Sequence, residues 1–236
     1  MAYNEFAYFY DELNGEADYD ALYTYVKEQL DAHGVADGIV ADLGCGTGDL
    51  TLMLTQAGYD MIGVDQSEEM LAVLREKADE LGISQRLLLL RQDILDLDLF
   101  GTIDACVSSL DSLNYVTDEA ILQAAFHKIH TFLMPGGYFL FDILAPAHLR
   151  SLDGQLFVDE TEDVFCLWRA EYDSDSAQVT YGMDLFERDG DCWYRAQEEH
   201  TERAWEPEFL KQMLSFFGGR VVTLVIEEII LLIFIT

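Results

Sequence analysis

Between Gly38 and Ile143, short apolar runs alternate with stretches of helical period. Ile39-Val40-Ala41 leads into VADLGCGTGDL (Val40–Leu50), after which Leu50, Met53, Leu54 and Ala57 fall on one helix face. Met61–Val64 reads as a second strand ending at Asp65. Ser67 stands at the N-cap of the next helix, with Glu68 and Glu69 in its favourable first turn. Leu71, Leu74, Ala78 and Leu81 line that helix's buried face, and Gly82 ends it. Leu87–Leu90, Ala105–Ser109 and Tyr138–Phe141 are three further strands, with a helix over Asp118–Leu133 before the last. Strands alternating with helices predict an α/β fold, a doubly wound and mainly parallel sheet covered on both faces.

After residue 150 the period changes. Val164–Tyr172, Val179–Glu187 and Cys192–Glu199 are strand-like, separated by DSDSAQ and RDGD, and Asp189-Gly190 is a hairpin signal. With no helical period between them, they predict an antiparallel β-meander. A helix over Pro207–Phe217 and a strand over Arg220–Ile226 return to the sheet. The expected organisation is one domain from residues 1–150 and 205–236, interrupted by a subdomain at 151–204.

The tail GGRVVTLVIEEIILLIFIT carries two apolar runs separated by Glu227-Glu228 alone, and neither glutamate suits a two-residue turn. The expectation is a displaced last strand, or one long strand used for self-association. An exposed Ile229–Ile235 run would be an aggregation liability.

The chain's 236 residues, half of them hydrophobic, hold ample material for a core. Lys and Arg total 13 against 45 Asp and Glu, a net charge of −32. So few cations argue against neutralising a phosphate backbone, which makes nucleic acid an unlikely partner. Cys45, Cys106, Cys166 and Cys192 form no C-x-x-C pair and fit reduced thiols. The acidic, aromatic N-terminus lacks the pattern of a signal peptide, and Val221–Thr236 is too short and too interrupted to span a bilayer. The expected location is cytoplasmic, with no membrane partner.

Gly44, Gly46 and Gly48 miss the dinucleotide pattern G-x-G-x-x-G, which would place its third glycine at Asp49. Their context, after a strand and before a helix, still suits a ligand approached by backbone N–H groups. Asp65, at the end of the next strand, is placed to accept both ribose hydroxyls of a nucleoside. Asp93, in RQDI, follows the third strand toward the same end of the sheet.

These segments resemble the class I S-adenosylmethionine-dependent methyltransferases. VADLGCGTG is similar to their first motif, GVDQSEEML to their second, RQDI to their adenine-contacting turn and LMPGGYFLFDI to the entry of their fifth strand. EFAYFYDELN and SSLDSLNYV are similar to a bacterial group of small methyltransferases. The meander resembles the lid-like insertion that this group shares with sugar N-methyltransferases. The resemblance implies a Rossmann-like, seven-stranded sheet, with an N-terminal helical cover and the 151–204 meander as lid.

It also implies roles. Asp42 and the backbone of Gly44, Cys45, Gly46 and Gly48 would hold the methionine part of S-adenosyl-L-methionine. Asp65 would take the ribose hydroxyls, Met70 would pack near sugar or base, and Asp93 with the Ile94 N–H would face the adenine. Gln66 stands where relatives place an apolar residue against that ring. The Leu110 carbonyl would receive the cofactor's amino group, and Tyr10, with Tyr3, would close over it. Tyr10 and Asp111 are the candidate catalytic side chains.

The cofactor is a cation, and acidic, carbonyl-rich walls suit it. Methyl transfer is an in-line displacement in which proximity and orientation can supply up to roughly 7–11 kcal/mol. Asp111, Asn114 and Tyr115 are the substrate-binding candidates, with Asp111 a proton acceptor or amine ligand. Glu198, Glu199 and His200 are weaker ones; alternation puts Glu198 and His200 on one face. His33, His127, His130 and His148 show no ligand spacing, so no metal is expected. The meander aromatics Phe165, Trp168, Tyr172, Tyr181, Trp193 and Tyr194 are expected to serve mainly in packing. The expected activity is methyl transfer to a small-molecule N or O nucleophile by a monomer or homodimer. The alternatives are a cofactor-binding regulator without turnover and an NAD-dependent oxidoreductase.

Overall fold

The computed structural model of the chain describes residues 18–226 and 229–235. Helix α1 spans Tyr19–Ala32, capped by Asp18, whose side chain accepts the Ala21 N–H at 2.9 Å. Strands β1 (Ile39–Leu43), β2 (Asp60–Asp65), β3 (Leu87–Arg91), β4 (Ile103–Ser108) and β5 (Leu133–Leu144) follow. They alternate with helices α2 (Asp49–Gln56), α3 (Glu68–Leu81) and α4 (Glu119–Phe132). The five strands pair in parallel in the order β3-β2-β1-β4-β5. Strand order reverses between β1 and β4, where a crevice opens beyond the carboxyl ends.

The near-continuous apolar composition of these strands follows from burial on both faces. Ala41, Leu43, Cys106, Phe139, Phe141 and Ile143 pack on one side with Phe126 of α4. Val40, Met61, Val107, Tyr138 and Leu140 pack on the other with Val26 and Leu30 of α1 and Leu54 of α2.

The caps of α3 are those expected. Ser67 Oγ accepts the Met70 N–H at 3.2 Å, and Gly82 takes the left-handed conformation. Leu71, Leu74 and Ala78 are buried, but Leu81 is 50% exposed. At the last position before the Gly82 cap, it overhangs the end of the packed face.

Helix α5 (Pro146–Ser151) leads to a second, antiparallel sheet of β6 (Leu156–Glu160), β7 (Val164–Asp173), β8 (Gln178–Asp189) and β9 (Cys192–Arg203), paired in chain order. Three of these strands were expected; β6 was not singled out. Val164, Cys166, Met183 and Leu185 on its inner face pack with Met70 of α3, and Ala170 and Val179 pack with Leu149 and Leu152. The outer face carries Asp184 between Arg169, Arg195 and Gln197. Trp193 and Tyr194 are 51% and 60% exposed, so these two aromatics are not packing residues.

Helix α6 (Pro207–Ser215) and strands β10 (Arg220–Ile226) and β11 (Ile229–Ile235) complete the chain. The tail corrects its expectation. β10 and β11 pair antiparallel from Arg220↔Ile235 to Ile226↔Ile229, and β11 also pairs antiparallel with β5. The last strand is therefore neither displaced nor fused to its neighbour, but sits inside a seven-stranded sheet of order β10-β11-β5-β4-β1-β2-β3. An unbroken apolar run is the composition an inner strand requires.

Candidate active site

The glycine loop joins β1 to α2 directly over the carboxyl end of β2. The Gly44 and Cys45 N–H groups both donate to the Val64 carbonyl, at 2.8 and 3.1 Å. Gly48 has φ of 85°, and a Cβ there would collide with the side chain of Leu74. Gly46, at φ of 52°, faces open space. The first glycine lets the loop lie against α3; the second leaves backbone free for a ligand.

Three aspartates shape this end. Asp42 is buried and accepts the Thr51 hydroxyl at 2.5 Å. Burial, against the pull of the Thr51 bond and with a smaller push from the charge of Asp65, lifts its carboxyl to about 6. Asp65 accepts the N–H of Gly46 at 2.9 Å and of Ser67 at 2.8 Å, yet burial still raises its carboxyl above the ordinary value. Asp93 accepts the Leu95 N–H at 2.9 Å and opens a short 3-10 turn at Ile94–Asp96.

Beyond β4 the chain makes two successive left-handed residues, Leu110 and Asp111, both at φ of 54°. Neither is glycine, so this turn is strained. It is held by Asp142 of β5, whose carboxylate accepts the Leu110 N–H at 3.0 Å and the Asp111 N–H at 2.7 Å. Burial lifts the Asp142 carboxyl to about 6 against the pull of these bonds.

The Asp111 side chain meets Glu202 of β9. The two carboxyls are hydrogen-bonded, and Tyr115 also bonds Glu202. Burial and the neighbouring charges of Glu202 and Asp142 raise Asp111 well above the ordinary carboxylate range, while burial lifts Glu202 to about 7. Two acids this close share a proton. Behind them His200 lies 3.4 Å from Glu198, on the common face that alternation indicated. The His200 ring also meets Tyr115 edge-on and stands 6.2 Å from Trp168.

All this surrounds a cavity of about 550 Å³. Its wall includes Asp42, the loop from Gly44 to Gly46, Asp65, Gln66 and Met70. Asp93, Ile94, Leu110, Asp111 and Tyr115 also line it, as do Asp159 and Trp168 from the second sheet. Most sequence candidates thus converge.

Some do not. Gly48 supports the loop from behind. Asn114 is fully buried away from the cavity wall; its Nδ2 donates to the Arg203 carbonyl at 3.0 Å and its Oδ1 accepts the Leu144 N–H at 3.2 Å. With both ends of its amide engaged by backbone, Asn114 ties the two sheets together and is not a substrate ligand. Tyr3 and Tyr10 lie outside the described residues.

Sequence reading missed Asp142 and Glu202. The signal for Asp142 was an acid inside the apolar run FLFDI; for Glu202 it was the same alternation that paired Glu198 with His200.

The wall fits a cation. Among the described residues, seven aspartates and no Lys, Arg or His line the cavity. A pyrophosphate would face only repulsion there.

Comparison with known proteins agrees. A family model described as a methyltransferase domain matches residues 40–137. YqeM of Bacillus subtilis (strain 168), a methyltransferase by name, is 32% identical over 220 residues, covering 92% of this chain and 86% of its own length. The chain belongs to the class I S-adenosylmethionine-dependent methyltransferases. An S-adenosylmethionine-dependent methyltransferase from Clostridium acetobutylicum ATCC 824 superposes with a TM-score of 0.87 at 29% identity, over 100% of this chain and 99% of that one. The sugar N-methyltransferase KedS8 from Streptoalloteichus sp ATCC 53650 shares the fold, with a TM-score of 0.82 at 21% identity over 98% and 92% of the two chains.

As a class I methyltransferase the protein uses S-adenosylmethionine, and the oxidoreductase alternative falls. The glycine loop lies within the residues that the methyltransferase domain model matches.

Proposed function

We propose that this methyltransferase acts on a small molecule through an N or O nucleophile, beneath residues 151–204 acting as a lid. The observation that carries the proposal is the Asp111–Glu202 pair, set where the second sheet roofs the cavity. Such a roof suits a small acceptor better than a bulky one. The −32 net charge disfavours nucleic acid, and the shared fold of a sugar N-methyltransferase supports the same direction.

In this reading Asp42 and the backbone of Gly44, Cys45 and Gly46 hold the amino-acid tail of the cofactor, whose ammonium group the Leu110 carbonyl also accepts. Asp65 receives the ribose hydroxyls through its remaining lone pairs. Met70 and Gln66 flank the sugar and base, and Asp93 with the Ile94 N–H reads the adenine edge. When bound, the cofactor supplies a methyl group activated by its sulfonium sulfur.

The protein's task is alignment and proton removal. Asp142 fixes the strained Leu110–Asp111 turn, so the carbonyl of one residue and the carboxyl of the next keep a set relation. Asp111, sharing a proton with Glu202, takes the acceptor's proton. Trp168, anchored by its Nε1–H bond to Asp159 at 2.9 Å, closes the wall and excludes water.

Incubation with methyl-labelled cofactor and separate pools of small metabolites, RNA and protein tests this. Label should enter the small-molecule pool. Label in RNA or protein overturns the reading, and cofactor binding with no transfer to any pool favours a regulator.

A further inference from the structure

We propose that the acceptor is an amine that arrives as an ammonium ion, received between the Asp111–Glu202 carboxyls and the rings of Trp168 and Tyr115. This rests on reading the cavity as the acceptor chamber, and names the class of molecule it takes.

Charge is the first argument. Asp42, Asp65, Asp93 and Asp49, the last paired with Lys77, stand at the glycine-loop end, where the cofactor's own cations lie in the proposed reading. Asp111, Asp118 and Asp159 remain on the acceptor side, with Glu202 behind Asp111 and no basic side chain among the described lining residues. A carboxylate or phosphate acceptor would meet like charge there. A neutral alcohol would gain little from such a wall. An ammonium ion offsets it.

The second argument is an unmet valence. Glu202 stands behind Asp111, outside the cavity wall itself; it is 3% exposed, and among the described residues its Oε2 finds no hydrogen-bond donor, although Asp111 and Tyr115 engage the carboxyl. A carboxyl pair with an oxygen in that state draws a donor to its cavity-facing member, Asp111, and an N–H cation is the strongest kind.

The third is the aromatic wall. The Trp168 indole is fixed by Asp159, and Tyr115 is fixed through Glu202. Both line the cavity, and a cation over such rings is favoured most when desolvated. The charged groups of the surrounding elements include Asp142 on β5 and Glu198, His200, Glu202 and Arg203 on β9; the Arg203 guanidinium donates to the Thr117 carbonyl and is paired with Glu119.

The proton and electron count closes. One ammonium proton passes to the carboxyl pair, which already holds a shared proton and so becomes neutral. The freed nitrogen lone pair forms the N–C bond as the S–C bond breaks, and that bond's electrons remain on sulfur. The methylated nitrogen carries the positive charge, and the extra proton leaves Asp111–Glu202 for solvent when product departs.

Benzylammonium, benzyl alcohol and benzoate share one ring and differ in charge. Calorimetric titration of each into the full chain saturated with S-adenosylhomocysteine should rank ammonium first by at least roughly tenfold. Asp111→Asn, which keeps a residue suited to φ of 54°, should lose that preference and retain S-adenosylhomocysteine affinity, which also reports that it folds. Trp168→Leu should weaken benzylammonium selectively. Equal or tighter binding of the alcohol or benzoate, or an unchanged preference in Asp111→Asn, overturns the inference. Loss of S-adenosylhomocysteine binding by the wild-type chain would instead bring down the functional reading beneath it.

Discussion

Asp142 holds Asp111 from behind, its Oδ1 accepting the Asp111 backbone N–H at 2.7 Å while Oδ2 accepts that of Leu110 at 3.0 Å. One buried carboxylate thereby secures two adjacent left-handed residues that would otherwise relax. An asparagine there has one oxygen, and its amide would confront the second N–H. Asp142→Asn loses a charge-assisted bond of about 1.5–3 kcal/mol. It also removes a buried charge whose carboxyl burial holds near 6 even with both bonds made, and that relief opposes the loss. The two nearly cancel in stability but not in geometry. Denaturant unfolding should change little, while calorimetry should show S-adenosylhomocysteine affinity lowered roughly tenfold. Unchanged affinity would deny Asp142 its positioning role.

The glycines of the loop should separate by function. Gly48→Ala must both hold a side chain at φ of 85° and displace Leu74. Left-handed strain of about 1–2 kcal/mol and overpacking of about 1–3 kcal/mol should cost stability outright. Gly46→Ala meets open space, so only the strain applies to folding. Its methyl group enters the cavity instead. Chemical denaturation should single out Gly48→Ala, and titration with S-adenosylhomocysteine should single out Gly46→Ala among the folded variants.

The parallel sheet and the cofactor end were readable because their cues are local. Ser67 and Gly82 act within a turn of α3, and Asp65 and Asp93 end strands whose order a doubly wound sheet dictates. The acceptor end depends on contacts across long sequence separations. Asp111 meets Asp142 and Glu202 only when β5 and β9 converge on the loop after β4. Asn114 shows the converse. Its loop position suggested a ligand, whereas the backbone of Arg203 and Leu144, distant in sequence, engages both ends of its amide. The tail was misread because two glutamates argue against a tight turn, while the pairing of β11 on both of its edges outweighs that local preference.

That pairing reverses what truncation should do. A free apolar strand could be removed with an effect confined to association. β11, however, bonds β10 on one side and β5 on the other. Deleting residues 229–236 strips the edge of β5, the strand that carries Asp142, and leaves β10 without a partner. The expected result is loss of cooperative unfolding together with S-adenosylhomocysteine binding. A truncated chain that binds with normal affinity and differs only in oligomeric state would refute this.

Asp42 gives the pH dependence its sign. Its carboxyl sits at about 6 in the fold against an ordinary value of 3.8, so between those values the folded chain binds the extra proton. Its contribution to stability is therefore most favourable on the acid side and declines by about 3 kcal/mol as pH rises through 6. Cofactor affinity should run the other way, because the ammonium group of the amino-acid tail, which S-adenosylhomocysteine retains, prefers the ionised Asp42, and Asp65 is shifted in the same direction. From pH 5 to 7, S-adenosylhomocysteine affinity should climb by up to about tenfold per unit below 6 and then level. Asp42→Asn can still accept the Thr51 hydroxyl while losing the charge. It should flatten much of that climb and raise stability relative to wild type above pH 6. A wild-type affinity independent of pH across this range would show that Asp42 does not meet the ligand's charge.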